Sequence, residues 1–429
     1  MSVAADAGRL AVVGGGWAGI AAAVRAVQCG WQVVLFESAA QLGGRARRVD
    51  AGGLALDNGQ HILIGAYTRT LALMRSVGSD PRTMFARRPL TLRYPDGRGF
   101  ALPPGAAWLA FVRGAATAKG WTYTERARLF ITTLGWALAG FRCEPQLTVA
   151  ALCAGLPASV RETLIDPLCV AALNTPSHEA SAAVWLRVLR DALFGGPGAS
   201  DLLLPRRSLS ELLPEPAARW LAAQGTTLRP STRVRRLEAD GARWRVDGET
   251  FDAVVLACPP GEAARLAHDF APHWAALASA FEYEPIVTVY LSCRLARLAE
   301  PMMALREGPE APAQFAFDHG AIGATPGLFA FVVSGARSWV ERGLDATAAA
   351  VLAQAREAFG EAAWPGGVEL VRVLAEKRAT FRCTPGLGRP APDIAARLMA
   401  AGDYVAGPYP ATLEGAVCSG EGAVRRLAG

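Results

Sequence analysis

"AVVGGGWAGIAAA", residues 11–23, runs from an apolar strand through a knot of glycines into an alanine-rich helix. Gly14, Gly16 and Gly19 stand in G-x-G-x-x-G spacing. In that arrangement the first glycine permits a tight turn and the second lets the backbone approach a pyrophosphate. The third lets the helix pack close to the strand. The helix N-terminus then offers unpaired N–H groups and the positive end of its dipole to phosphate. Alone the motif is weak, but its context strengthens it. "WQVVLFE", Trp31 to Glu37, is a second strand ending in an acid 18 residues after Gly19. That carboxylate would accept hydrogen bonds from ribose hydroxyls and repel a 2′-phosphate. The stretch therefore predicts a Rossmann-type α/β domain that binds NAD or FAD rather than NADP.

The residues after Glu37 separate those two cofactors. "SAAQLGGRARR" carries a second close-approach turn, Gly43-Gly44, followed directly by Arg45. An NAD dehydrogenase has no need of it. The E-x5-G-G-R run resembles the FAD signature of the amine oxidase and carotenoid (phytoene) desaturase superfamily. A second match lies near the other end of the chain, in "AGDYVAGPYPATLEGAVCSG", residues 401–420. The resemblance implies FAD as cofactor. It places Gly43, Gly44 and Arg45 along the pyrophosphate and flavin, and Asp403, after Gly402, on the ribityl chain or pyrophosphate. Thr412 and Leu413 would open a helix whose N-terminus faces the flavin pyrimidine. The Val234 backbone would touch adenine. Gly59, Gln60 and His61 of "DNGQH" would lie beside the isoalloxazine.

The expected fold is thus α/β, a Rossmann-type FAD domain with a discontinuous α+β substrate domain. The FAD domain is expected over 1–75, 205–265 and 395–429. Its middle piece contains the adjacent strands "TTLRPSTRVRRLEAD" and "ARWRVDGETF". The return strand "DAVVLACPP" is stopped by two prolines. The substrate domain would combine a mainly helical 76–204 with a mixed 266–394, the latter holding a helix at about 345–359.

Bulk properties exclude several classes. The chain has 429 residues, enough for two or three domains, with 52% hydrophobic and 19% charged residues. Its net charge of +6 comes from scattered arginines without a basic block, so nucleic-acid binding is not expected. Eight single cysteines and five histidines show no metal-ligand spacing, so no metal site is expected. The N-terminus lacks a secretory pattern. The uncharged apolar run 129–141 has 13 residues, short of the roughly 20 that span a bilayer. A cytoplasmic protein, peripheral to the inner face of the membrane, is expected.

Four further stretches go beyond the flavin motifs: "LDNGQHILIGAYTRTL", "PLCVAALNTP", "SDLLLPRRSLSELLPEPAARWL" and "EKRATFRCTPGLGRP". Together they resemble the hydroxysqualene dehydroxylases of bacterial hopanoid operons across nearly the whole chain. That resemblance implies reductive removal of an allylic hydroxyl from a C30 isoprenoid, using reduced flavin. It also implies an apolar tunnel and contact with other squalene-pathway enzymes. Lys119 and Lys377 are the only lysines, which sets the chain apart from amine oxidases that carry one near the flavin. Candidates for the acid or the hydroxyl-binding group are His61, Asp166 and Asn174. Each has a plainer alternative: a loop-fixing ring, a helix cap and a turn former. Asp57 is read as a turn former or cap. Residues 108–142 have the composition of an interfacial helical hairpin on an anionic membrane, with Trp108, Trp121 and Trp136 as anchors. Two other readings stand beside this one. One is a carotenoid or terpenoid desaturase or oxidase. The other is a non-catalytic FAD-binding scaffold.

Overall fold

The computed structural model describes residues 8–51 and 53–428. Its first sheet has six strands in the order Thr227–Arg229, Gln32–Phe36, Arg9–Val13, Ala253–Leu256, Leu398–Ala400 and Asp393–Ala395. The first five pair in parallel and the last is antiparallel. Leu10 and Val12 point into one core, Ala11 and Val13 into another. Both faces are covered, which is why these strands read as unbroken apolar runs rather than alternating ones. The sheet draws on the beginning, middle and end of the chain.

Helix Trp17–Gln28 lies against the C-terminal helix Leu413–Ala428. The approach is close because Gly420 carries no side chain, and a Cβ there would collide with the Ala18 carbonyl. The segment Leu237–Phe251 forms a three-stranded antiparallel meander beside the sheet. "TTLRP" does not belong to that meander, because Thr227–Arg229 joins the parallel sheet instead.

A second sheet of five antiparallel strands has the order Met302–Ala304, Phe315–Asp318, Leu328–Val333, Tyr283–Ser292 and Glu369–Phe381. Side chains alternate across it. Val287, Val289, Leu291, Phe329 and Phe331 pack on helix Leu344–Phe359 through Val351 and Ala355. Tyr290, Phe315, Phe317 and Val332 face the other way, into a core shared with Ile165, Leu173 and Trp185 of the helical region.

The mainly helical 76–204 also holds strands the sequence pattern did not reveal. Phe85–Arg88 pairs with Leu202–Pro205, and Thr91–Arg93 pairs with Gly99–Ala101 around the turn at Pro95-Asp96-Gly97. Helices Ala107–Thr117 and Tyr123–Leu138 form the expected hairpin. The anchors need correction, however. Trp121 and Trp136 are core residues, 6% and 9% exposed, and Trp121 donates to the Thr163 hydroxyl at 3.0 Å. Trp108 is half exposed. The outward stripe is Phe130, Ile131, Leu134 and Leu138, at one-turn spacing on one helix face, with Leu109 beside Trp108. Among the described residues no helix is long and apolar enough to cross a membrane.

The contact of the two long helices gives a stability test. Gly420→Ala forces a methyl into the Ala18 backbone, at a cost of about 1–3 kcal/mol. The thermal midpoint should fall by several degrees, and an unchanged midpoint would show that the helices separate freely.

Candidate functional site

The site begins as bare backbone. Strand Arg9–Val13 ends at Gly14, which has φ 111° and whose Cβ would lie 2.6 Å from the Ala257 carbonyl oxygen. Gly43 N–H donates to the Gly15 carbonyl at 2.8 Å, and Gly16 pairs with Gly43 as an isolated bridge. Gly44, at φ 61°, would place a Cβ 3.1 Å from the Gly16 Cα. The two glycine turns are therefore stacked backbone on backbone. Gly19 closes the strand–helix angle, since a Cβ there would strike the Gly14 carbonyl. Gly16 caps helix Trp17–Gln28 without a side chain, so the first-turn N–H groups keep their capacity for a ligand. A bare floor at the mouth of a helix fits a pyrophosphate.

Glu37 is buried at the end of the second strand. Its Oε2 accepts from Gly15 N–H and its Oε1 from Ala39 N–H, both at 2.7 Å. It holds the glycine turn from behind, a role its position alone did not disclose. Oε1 also accepts from the Ser38 hydroxyl at 3.1 Å, so the open acceptor capacity toward a ribose lies on Oε2. The Val234 carbonyl accepts from Arg265 at 2.9 Å.

Arg45 and Asp403 meet across the chain, Nη2 to Oδ1 at 2.6 Å. Arg45 also donates to the Ala379 carbonyl at 2.8 Å. Its side chain is 41% open to solvent. Gly402 N–H donates to the Ser419 hydroxyl at 3.1 Å, which fixes Asp403 over the C-terminal helix. Thr412 accepts from Gly415 N–H at 2.9 Å and so caps that helix, with Leu413 in its first turn. Glu414 reaches sideways and accepts from the N–H groups of Arg69 and Thr70, each at 2.9 Å.

Loop 57–61 forms one wall. The Asp57 carboxylate accepts at 2.8 Å from the N–H of Leu209, the first residue of a helix whose N-cap is Ser208. Burial also lifts this carboxyl from 3.8 to about 7, against the pull of the Leu209 bond. Gly59 sits at φ 92°, its Cβ position 3.9 Å from the Thr288 hydroxyl. Gln60 turns toward His319. His61 corrects an expectation. Burial, and then the charge of Arg45, bring its imidazole down to about 4, so it is neutral near pH 7 rather than protonated.

The other two catalytic candidates stand at the two ends of helix Asp166–Leu173. Asn174 is buried at φ 46° and ends helix Asp166–Leu173. Its Oδ1 accepts from Gly335 N–H at 2.8 Å, and its amide donates to the Glu284 carbonyl and the Thr380 hydroxyl at 3.0 Å. Both amide hydrogens and one lone pair of its oxygen are thus engaged in clamping three segments together, the turn-forming role that stood as its alternative. Asp166 does not cap a helix, because Ile165 before it is already helical and a π turn, Arg161–Ile165, runs into it. It stands at the far end of an eight-residue helix, about 12 Å from Asn174. The structure thus does not bring His61, Asp166 and Asn174 together. Sequence reasoning missed Glu414, Tyr290 and His319, which stand singly in strands and helix starts without motif spacing.

Comparisons with known proteins agree with this geometry. The family described as flavin containing amine oxidoreductase matches residues 17–428. A hydroxysqualene dehydroxylase of Rhodopseudomonas palustris is 30% identical over 95% of this chain and 96% of its own length. One of Sinorhizobium fredii is 27% identical over 95% of each. The crystal structure of an oxidoreductase from Methanosarcina mazei superposes with a TM-score of 0.74, at 14% identity, over 97% of this chain and all of that one. It shares the fold.

The raised Asp57 carboxyl has a consequence for stability. Its folded value lies above its unfolded one, so the folded state holds this proton more tightly. The penalty is absent below about pH 4, grows as pH rises and levels off above about 7, reaching up to about 4 kcal/mol. The flavin-free Asp57→Asn protein, which keeps an accepting oxygen, should gain thermal midpoint over wild type steadily across that window. A constant difference between the two would refute the shift.

Proposed function

The chain belongs to the flavin containing amine oxidoreductases and, within them, to the hydroxysqualene dehydroxylase family; from that premise we propose that it binds FAD and reductively removes an allylic hydroxyl from a squalene-like isoprenoid. The near full-length likeness to relatives that bear this name carries the reading. Its place would be the hopanoid and squalene route of a bacterium. Reduced FAD, when bound, supplies the hydride that replaces the hydroxyl, which leaves as water with one proton.

The protein's own groups have distinct tasks in this reading. Gly14, Gly16, Gly43 and Gly44 receive the pyrophosphate, Glu37 the ribose, and Arg45 with Asp403 the ribityl side. Loop 58–61 lies against the isoalloxazine, and the mouth of the C-terminal helix at Leu413 meets the pyrimidine edge, where its dipole favours negative charge. His61, being neutral, offers a hydrogen bond rather than a charge. Asp57 is the group in this wall that retains a proton near pH 7. The apolar face of Tyr290, Phe315, Phe317 and Val332 keeps water from the reacting carbon. Water there would recapture an allylic cation and return the alcohol.

An isoprenoid of this size resides in the bilayer. The stripe Phe130, Ile131, Leu134 and Leu138, with Trp108 and Leu109, gives the protein a face for an anionic membrane. Arg113, Lys119 and Arg128 stand exposed along the same hairpin.

Two experiments test the reading. Under anaerobic conditions in heavy water, with chemically reduced FAD, hydroxysqualene should give squalene carrying one deuterium at the carbon that lost oxygen or at its allylic partner. Squalene without deuterium would sink the hydride step. Conversion of squalene to a more unsaturated product by the oxidised protein would instead establish a desaturase. For the membrane face, replacing Trp108, Ile131, Leu134 and Leu138 together by serine should lower binding to anionic liposomes at least about ten-fold, with flavin content unchanged. Equal binding by wild type and variant would refute that face.

A further inference from the structure

Two side chains of the substrate sheet hold loop 57–61 from above. Tyr290 donates its hydroxyl to the Asp57 carbonyl at 3.1 Å. His319, the first residue after strand Phe315–Asp318, places Nε2 3.0 Å from Gln60 Oε1. The two rings pack edge to face, centroids 6.1 Å apart at 78°. Both ends of the loop therefore hang from one rigid sheet.

The direction of the His319 bond follows from its neighbours. The Gln60 amide nitrogen donates to the His61 carbonyl at 3.4 Å, so the amide oxygen is the end that meets His319. An amide oxygen accepts only, so the imidazole carries its proton on Nε2. Asp318 does not compete for that proton. Its Oδ1 accepts from Ala321 N–H and its Oδ2 from Leu298 N–H, each at 3.0 Å. Burial brings His319 down to about 4, which leaves one N–H on the ring at neutral pH. Gln60 is thus a strut between the sheet and a peptide carbonyl of the loop.

We propose that His319 is a positioning residue whose Nε2–H fixes the Gln60 carboxamide and, through it, the His61 carbonyl of the loop that faces the flavin ring. This rests on loop 58–61 lying against the isoalloxazine, as proposed above. The strut has a consequence for the reaction. The sheet whose inner face meets the isoprenoid is the same body that sets the flavin-facing peptide. A displacement of about 1 Å at a reacting centre can cost up to about a hundred-fold in rate.

The test uses the flavin-loaded full-length protein. His319→Ala and Gln60→Ala should shift the visible flavin bands and the midpoint potential in the same direction. The double variant should shift them no further than either single one. kcat should fall about ten-fold, with KM within about two-fold. His319→Gln puts an amide N–H where Nε2 stood and should restore the spectrum and potential, whereas His319→Asn, one bond shorter, should not. If His319→Ala does not fold, the Gln and Asn variants carry the comparison alone. A wild-type spectrum and potential in His319→Ala or His319→Asn, with a shift in Gln60→Ala, would overturn the role of His319 alone. No shift in any variant would overturn the placement of the loop as well.

Discussion

The Arg45 guanidinium is the constraint on which the rest of the site depends. It leaves the second glycine turn, meets Asp403 at 2.6 Å and donates to the Ala379 carbonyl at 2.8 Å. One side chain thereby joins the N-terminal strand–turn–helix, the C-terminal cofactor segment and the substrate sheet. Burial works against its charge, yet Asp403 beside it keeps the guanidinium above its usual value. A charge placed there without its partner would be strongly unfavourable. The partner comes from 358 residues along the chain, so this side of the site exists only once the two segments have met. Asn58 extends the junction by donating to the Arg45 carbonyl at 3.0 Å and to Glu376 at 2.8 Å.

How much of this was legible in the sequence depends on whether a feature is local. The glycine turns were legible because a missing Cβ is a demand of the backbone itself, and Gly14, Gly19 and Gly44 show that demand as positive φ or as close approach. The helix mouth at Thr412 was legible for the same reason, since a cap is formed within one turn. Membership of the flavin containing amine oxidoreductases followed from those motifs. The strands between residues 85 and 101 were hidden because each is three or four residues long, too short for a period to show. The hairpin tryptophans misled because composition does not say which helix face is inward. Among the proposed chemical groups, Asn174 looked polar and available, and its three partners come from residues 284, 335 and 380. No spacing in the sequence announces contacts of that kind.

Charge states in the cavity follow from a single cause. His61 and His319 are both held near 4 chiefly by burial, and burial lifts Asp57 toward neutrality. The wall thus disfavours isolated charge of either sign. Its carboxylates Asp403 and Glu376 are engaged by Arg45 and Asn58. An ammonium substrate brought here would find these carboxylates already paired and would give up hydration without a free counter-charge, a costly exchange. An isoprenoid surrenders nothing of the sort, since apolar surface gains by the same dehydration. The broad family accommodates both chemistries on one fold, and fold alone does not choose between them. In the proposed reading the wall makes that choice, since the burial that holds two imidazoles uncharged also favours a hydrocarbon chain.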